Sequence, residues 1–530
     1  MKILKPFVYT LLAGLVSLSS CKDDEPNPCD GSDLSLSVEG STNSLTANAT
    51  GGTGPYEYSI NGGNFQSTGI FENLEQTDYL VTVKDGAGCS VTTQLNAGNL
   101  WEVLQSTGDG ARNNAVDIDQ TGSLFFVGTH SGTNNFGGTE IIGDSDTYLG
   151  KYDASGNLAW ILSISGNGNI AAPLIKVDND GNVYLAGIFS STLNVVGETL
   201  TSAGNYNTYA AKFDTNGNLL WLKHFSGGDS RISSLAIDNE NNLIMTGGFT
   251  GDFNIGNESF TTETNKWHNY LTKFNSQGEL QWINNNSGTE RLSGSAVATD
   301  NNGNIFLTGY FTQSVSFGNT DLTSLGSTDI FLVKYNSNGE AQWAKQAGSS
   351  YSSGSYSDQV GGIAVDNSGN AYITGRYYET AYFDNFSLTA TSHISSMYVA
   401  KYSSTGSVSW VKSIGDGASG TANSITINST GNIQVVGDFH GNMTIGNTNI
   451  ASINTNTTLY LATYSPTGSV VSAIQAGGSD FSGVLPKEMV SNDRYTFVAG
   501  SFYGAPEIGN ANLETSEEIK HAAFVWRVAN

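Results

Sequence analysis

The sequence predicts an all-β protein, on three observations. Glycine is abundant, at 64 residues, and tyrosine and phenylalanine are plentiful, at 24 each, a combination that suits strands joined by many turns. A segment ending in tryptophan recurs, as YLGKYDASGNLAW from Tyr148, YAAKFDTNGNLLW from Tyr209, YLTKFNSQGELQW from Tyr270, FLVKYNSNGEAQW from Phe331 and YVAKYSSTGSVSW from Tyr398; a sixth copy, from Tyr460, has Ser472 where the tryptophan stood. With Trp101 as the first anchor, the intervals are 59, 61, 61, 61, 67 and 62 residues, so seven units fill the chain to its end. A second hairpin precedes the first within each unit, as VDNDGNVYLAGIF from Val177, IDNENNLIMTGGF from Ile237, TDNNGNIFLTGYF from Thr299 and VDNSGNAYITGRY from Val365, with looser copies at Ile118, Ile427 and Val490. Apolar residues alternate on both sides of an Asn/Gly-rich turn, as in a hairpin, and four strands per unit make a propeller blade. The expected fold is a seven-bladed β-propeller over residues 98–530, preceded by a small β-sandwich module over 30–97.

At the N-terminus, Lys2 and Lys5 precede an apolar stretch of twelve residues from Phe7 to Leu18. A spanning helix needs roughly 20 apolar residues, so this charged-then-apolar order predicts a signal peptide over 1–20 that is removed. Its end, Leu18-Ser19-Ser20-Cys21, resembles the lipobox of bacterial lipoproteins, which implies diacylglycerol on the Cys21 thiol and attachment to a membrane through that anchor. Residues 21–29 form a polar tether, and Lys22-Asp23-Asp24-Glu25 is similar to the lysine-plus-acidic signal that sends some lipoproteins to the outer face of the outer membrane. Localisation in the outer membrane, lipid-anchored and surface-exposed, is the resulting expectation. With Cys21 lipidated, Cys29 and Cys89 remain as a pair flanking one small segment outside the cytoplasm, and a disulfide is expected between them. That segment, with Gly51-Gly52-Thr53-Gly54-Pro55-Tyr56, Asn61-Gly62-Gly63 and Tyr79-Leu80-Val81-Thr82-Val83, resembles the SprB-type repeat, an immunoglobulin-like sandwich of surface adhesins.

The tryptophan repeat resembles the SBBP-type β-propeller repeat across 101–530, a resemblance that implies a fold and no common activity. A large side chain recurring once per blade is expected to fill the wedge between neighbouring sheets. A shorter excursion, such as Phe317-Gly318-Asn319-Thr320-Asp321-Leu322, adds one lobe per unit. Trp101-Glu102-Val103-Leu104 lacks its preceding hairpin arm and Phe524-Val525-Trp526-Arg527 its following one, so the two termini are expected to close the ring and leave no open edge. Asp178, Asp238, Asp300 and Asp366 recur at one position and Lys212, Lys273, Lys334 and Lys401 at another, and in the sixth unit both turn neutral, as Asn428 and Thr463. Their joint loss suggests a repeated ion pair; an Asx turn begun by the aspartate explains half of the pattern equally well.

Twenty-two basic against 48 acidic residues leave a net charge of −26, which disfavours nucleic acid as a partner. Asp178-Asn179-Asp180-Gly181-Asn182 imitates a calcium loop, but Phe189 stands where that loop needs a bidentate Glu, so a turn is the better reading and no metal or other cofactor is expected. The histidines fall in different units, and no serine or cysteine nucleophile motif is present in the propeller, so no catalytic residue is assigned. Residues that break the repeat are the better functional guide, because the blade does not require them. Trp267 and His268 break it, as do Tyr351, Tyr356, Arg376 and Tyr377 in and after the insertion that lengthens the fifth interval. Aromatic and polar groups on loops suit a glycan or a surface protein, so these six are the candidate ligand-binding residues of a binding or scaffold module. The alternative is an extracellular enzyme, hydrolase or lyase, acting on glycans with carboxylates at the propeller axis, which requires at least two acidic groups converging in one pocket.

Overall fold

The computed structural model describes residues 29, 32–40, 44–72, 74, 79–95, 102–108, 110–263, 266–286, 290–350, 358–390, 396–415, 417–452, 457–478, 482–515 and 520–530. Among these the regular structure is all β, in two compact units that divide between Leu104 and Gln105. Cys21, Trp101, Tyr351 and Tyr356 lie outside the described residues.

The first unit holds two three-stranded antiparallel sheets, one of Ser35–Gly40, Ser44–Thr50 and Ile70–Glu72, the other of Glu57–Ile60, Tyr79–Lys84 and Ser90–Leu95. Alternation along a strand builds the core: Tyr79, Val81 and Val83 turn inward and meet Leu34, Val38, Leu45, Ala47 and Tyr58. Cys29 and Cys89 form the expected disulfide, their Cα atoms 5.4 Å apart.

The second unit repeats one design, well seen around Trp343. Leu292–Thr299, Ile305–Phe311, Asp329–Tyr335 and Ala341–Ser349 are hydrogen-bonded in chain order, each antiparallel to the next. The two middle strands are buried on both faces, which is why they read as nearly unbroken apolar runs. Register places Thr299, Ile305, Tyr335 and Ala341 at one end of the sheet, where both tight hairpins lie, and Leu292, Phe311, Asp329 and Ala347 at the other. We call these the turn end and the junction end. At the junction end the chain departs for its excursion and for the next sheet.

Neighbouring sheets are latched at the turn end. The indole Nε1 of Trp160 donates to the Thr215 carbonyl at 3.1 Å, and Trp221, Trp282, Trp343 and Trp410 donate in the same way to Ser276, Ser337, Ser404 and Pro466 at 3.1–3.2 Å. Each indole thus reaches the hairpin turn of the following sheet and lies flat on its glycine. Gly468 has φ +83°, and a Cβ there would sit 2.9 Å from Cδ2 of Trp410, so backbone conformation and packing both require glycine. The tryptophans fill the wedge, as expected.

Both readings of the recurring aspartates hold at once. In Asp178, Oδ1 accepts the amides of Asp180 and Asn182 at 3.1 and 2.8 Å, making the Asx turn, while Oδ2 meets Lys212 Nζ at 2.9 Å. Lys273 pairs with Asp238 at 2.8 Å and Lys334 with Asp300 at 3.8 Å, and Lys151 in the first sheet meets Asp119 at 3.4 Å. Lys401 is the exception: it donates to the Pro466 carbonyl at 3.3 Å, and Tyr372 Oη takes its place on Asp366 at 3.1 Å.

The excursions lace the sheets together. Asn194 and Leu193 pair with Ser165 and Gly166 on the outer strand of the preceding sheet, Phe383 pairs with Ala347, and Glu507 with Gly477. The chain ends meet in the same pattern. Val103–Gly108 lies hydrogen-bonded between His521–Ala529 and Leu124–Phe136, with Ala523 N donating to Ser106 Oγ at 3.0 Å and Asn113 Nδ2 to the Phe524 carbonyl at 2.9 Å.

Candidate functional site

The junction end gathers the residues that break the repeat. Trp267 immediately precedes the strand His268–Phe274, half-buried, with the Arg231 guanidinium 5.2 Å from its ring. Arg231 itself is exposed and also lies 5.9 Å from the ring of Tyr206, so one guanidinium stands between two aromatic groups from successive sheets. The Tyr206 loop is held by Asp229, which accepts the amides of Asn205 and Tyr206 at 2.8 and 3.2 Å and Asn205 Nδ2 at 3.1 Å. The site is therefore ordered before anything binds. His268 is half-buried beside Phe249, at 5.9 Å; burial lowers its pKa, opposed by a hydrogen bond with Asn285, so the imidazole is neutral at pH 7.

Arg376 and Tyr377 are not on a loop. They end the strand Ala371–Tyr377, where alternation sends successive side chains to opposite faces. Arg376 is half-buried over Tyr378, 5.9 Å from its ring, and its Nε has no hydrogen-bond partner. Tyr377 points the other way, is 1% exposed and packs near Tyr398 in the core of its sheet, which removes it from any ligand surface. Sequence reasoning missed Arg291, stacked 5.1 Å from the ring of Tyr310 with Nη2 donating to its Oη at 3.0 Å. It missed Arg231 as well. The available signal was arginine at or just before the start of an inner strand, at 231 and 291, where the repeat has no charge to explain.

The Asp358 carboxylate is buried and accepts the Ser349 amide and hydroxyl at 2.7 and 2.9 Å and the Tyr378 amide at 3.1 Å. Burial outweighs these bonds and pushes its pKa up to about 6. Asp329, also buried at the junction end, is raised by the same cause.

A second polar site lies where the inner strands converge. They enclose a cavity of about 300 Å³ lined by Lys176, Ser233, Ala296, Gly362, Asn423 and Glu488 among others. Lys176 Nζ meets Glu488 Oε1 at 2.7 Å, and Asp117 Oδ2 on the adjoining strand accepts the Val177 amide at 2.8 Å. Burial raises both carboxyl pKa values against the opposing pull of Lys176, and the two carboxylates in turn hold the Lys176 ammonium charged. Of the two, Glu488 lines the cavity, whereas Asp117 lies outside its lining and acts on the same lysine through its charge. Each is already satisfied within the protein, however: Glu488 by Lys176, Asp117 by the amides of Val177 and Ile118. Together they tie inner strands of the first, second and last sheets across the seam where the chain ends meet. No cluster of three or more potential metal ligands exists among the described residues.

A family model described as SBBP, beta-propeller repeat, matches residues 342–376, which run from the Trp343 latch to Arg376. The sheet design and this match define a β-propeller that carries an SBBP repeat. Among curated proteins the chain is 24% identical over 458 residues to an uncharacterized WD repeat-containing protein, L264, of Acanthamoeba polyphaga mimivirus, covering 71% of this chain and 33% of that protein. It is 24% identical over 188 residues to the regulatory protein FlaEY of Caulobacter vibrioides, covering 34% and 19%. The chain thus spans about a third and about a fifth of the length of these two relatives. Among solved structures it is similar to a polysaccharide lyase, an ulvan lyase, at 9% identity and a TM-score of 0.36, covering 78% of this chain and 95% of that one.

Proposed function

We propose that this protein is a surface-displayed lipoprotein, lipidated at Cys21 in the outer membrane, that binds an extracellular ligand through the junction end of a seven-bladed propeller carried behind an SprB-like sandwich. The observation that carries the binding role is Arg231, exposed and held between Tyr206 and Trp267. Aromatic rings fixed in advance lose little entropy on contact and make good recognition surfaces. His268 and Arg376 flank the surface, and Tyr351 and Tyr356 lie outside the described residues. A glycan array probed with the full chain tests the role. Wild type should retain a ligand that Trp267→Ala loses, and retention unchanged by Trp267→Ala would remove this surface from consideration. Cys21→Ala should release the protein from membranes, and wild type that takes up no fatty-acid label would end the anchoring proposal.

One observation favours a second reading, an enzyme acting on glycans: Lys176 and Glu488 line the axial cavity, with Asp117 behind them interacting with the same lysine. It is the weaker reading because every one of those groups already has a partner that holds the ring together. Glu488→Gln that abolishes a glycan-cleaving activity while the melting temperature holds would reverse this order.

A further inference from the structure

We propose that the ligand of the junction end is an acidic glycan, its carboxylate or sulfate groups received by Arg231, Arg291 and Arg376. This inference rests on the binding role proposed above and names the chemistry of that surface.

The three arginines stand near the junction ends of three successive sheets, at different positions of the repeat. Arg231 pairs with Gly248 at the junction end of the third sheet. Arg291 immediately precedes Leu292–Thr299 in the fourth, its carbonyl accepting the Thr312 amide at 3.0 Å. Arg376 pairs with Gln359, the first residue of the inner strand of the fifth.

None of the three is used for stability in the ordinary way. The chain has 48 acidic residues, yet among the described residues each of these arginines lies beyond ion-pair distance of any carboxylate, whereas lysines form all the pairs found there. Each guanidinium is stacked instead on an aromatic ring, at 5.1–5.9 Å. Stacking orients the planar fork and leaves its N–H edge for a bidentate acceptor, a geometry that suits carboxylate and sulfate better than a neutral hydroxyl. The adjoining rings of Trp267, Tyr310 and Tyr378 supply apolar faces for sugar rings between the acid groups.

The net charge of −26 opposes any polyanion, and its reach decides which. Screening over roughly 8 Å at physiological salt confines the repulsion to nearby charges. Asp229, which holds the Tyr206 loop, is occupied by that loop's amides. Duplex nucleic acid packs one charge into about 1.7 Å of axis and would be repelled along its whole length. A glycan with one acid group per sugar or two is charged more sparsely, and three unpaired guanidinium groups can match it.

The test uses the full chain on three immobilised probes: polygalacturonate for carboxylate, dextran sulfate for sulfate, and dextran as the neutral control. Wild type should be retained by one or both acidic probes and not by dextran, with affinity falling as salt rises. Arg231→Gln, Arg291→Gln and Arg376→Gln should each weaken retention on the order of tenfold. Arg→Lys at the same positions should recover only part, because charge returns without the fork. Melting temperatures within a few degrees of wild type show that the variants fold. Retention of the triple glutamine variant equal to wild type overturns the assignment. Retention by dextran that Trp267→Ala abolishes overturns the acidic ligand while leaving the binding role standing. No retention on any probe, with a hit on the glycan array, also overturns the acidic ligand alone; a blank array overturns both.

Discussion

The two ends of the propeller differ in what their polar groups do. At the turn end carboxylates are held charged: burial pushes Asp238 up, but hydrogen bonds from Lys273 and Asn242 more than offset it, so its pKa lies below the usual range, and Asp366 is lowered in the same manner by Asn370. At the junction end burial wins, and Asp329 and Asp358 are raised. Cations follow the same division. Turn-end lysines pair with aspartates repeated in sequence, whereas junction-end arginines rest on aromatic rings and pair with none of the described carboxylates. The turn end is built from one local solution copied from sheet to sheet, so every polar group there was selected with its partner. The junction end is where excursions of different length leave and return, so its residues answer to something other than the repeat.

The largest expected effect breaks the copied end. Lys212→Met leaves Asp178 buried without its counter-ion and should cost about 3–5 kcal/mol. Lys401→Met, at the same repeat position but with no ion pair to Asp366, should cost no more than ~1 kcal/mol. Adding Asp178→Asn to Lys212→Met should restore part of the loss. Chemical denaturation of the four proteins checks this, and equal losses at 212 and 401 would mean that packing of the lysine stem, rather than the ion pair, matters.

An intermediate effect sharpens the contrast through pH. Asp358 has its folded-state pKa raised by burial to about 6 against ~3.9 when unfolded, so the folded state holds the proton more tightly. Its contribution is fully present below pH ~4 and is lost as pH rises through about 6, at most ~3 kcal/mol. Asp358→Asn should therefore flatten the stability profile between pH 4 and about 6 and leave the protein no less stable at pH 7. A profile unchanged by the substitution would show that the bonds from Ser349 and Tyr378 keep this carboxylate ionised throughout.

How much of this was legible in the sequence follows the same division. Hairpins, tryptophan latches and Asp–Lys pairs are local or recur at fixed spacing, so period and alternation disclose them. Lys401 departs from the pattern, with Tyr372 on Asp366 in its place, although Tyr184 at the equivalent position leaves the Lys212–Asp178 pair intact, so the sequence carries no signal of the departure. Trp267 and His268 stand at the junction end, the first just before and the second within the strand His268–Phe274, so only Trp267 lies on a loop. Tyr377 was misplaced because adjacency in sequence was taken for a shared surface, whereas in a strand it means opposite faces. Arg231 and the axial trio of Asp117, Lys176 and Glu488 were invisible because their partners come from other sheets, and no spacing along one chain encodes which inner strands face each other across a ring.

The smallest expected effect is at Trp267, set against Trp410. Trp410 is 9% exposed, donates to Pro466 and lies on Gly468, so Trp410→Ala opens a gap between two sheets and should cost about 3–5 kcal/mol. Trp267 lies against Arg231 and Gly248 at the rim, where its loss uncovers a guanidinium that water can solvate. Trp267→Ala should cost only ~1 kcal/mol, because no buried donor is orphaned and no wedge between sheets is emptied. Urea denaturation of both variants gives the comparison. If Trp267→Ala destabilises as much as Trp410→Ala, the ring is a structural plug of the junction end, and the aromatic platform proposed for ligand is part of the scaffold instead.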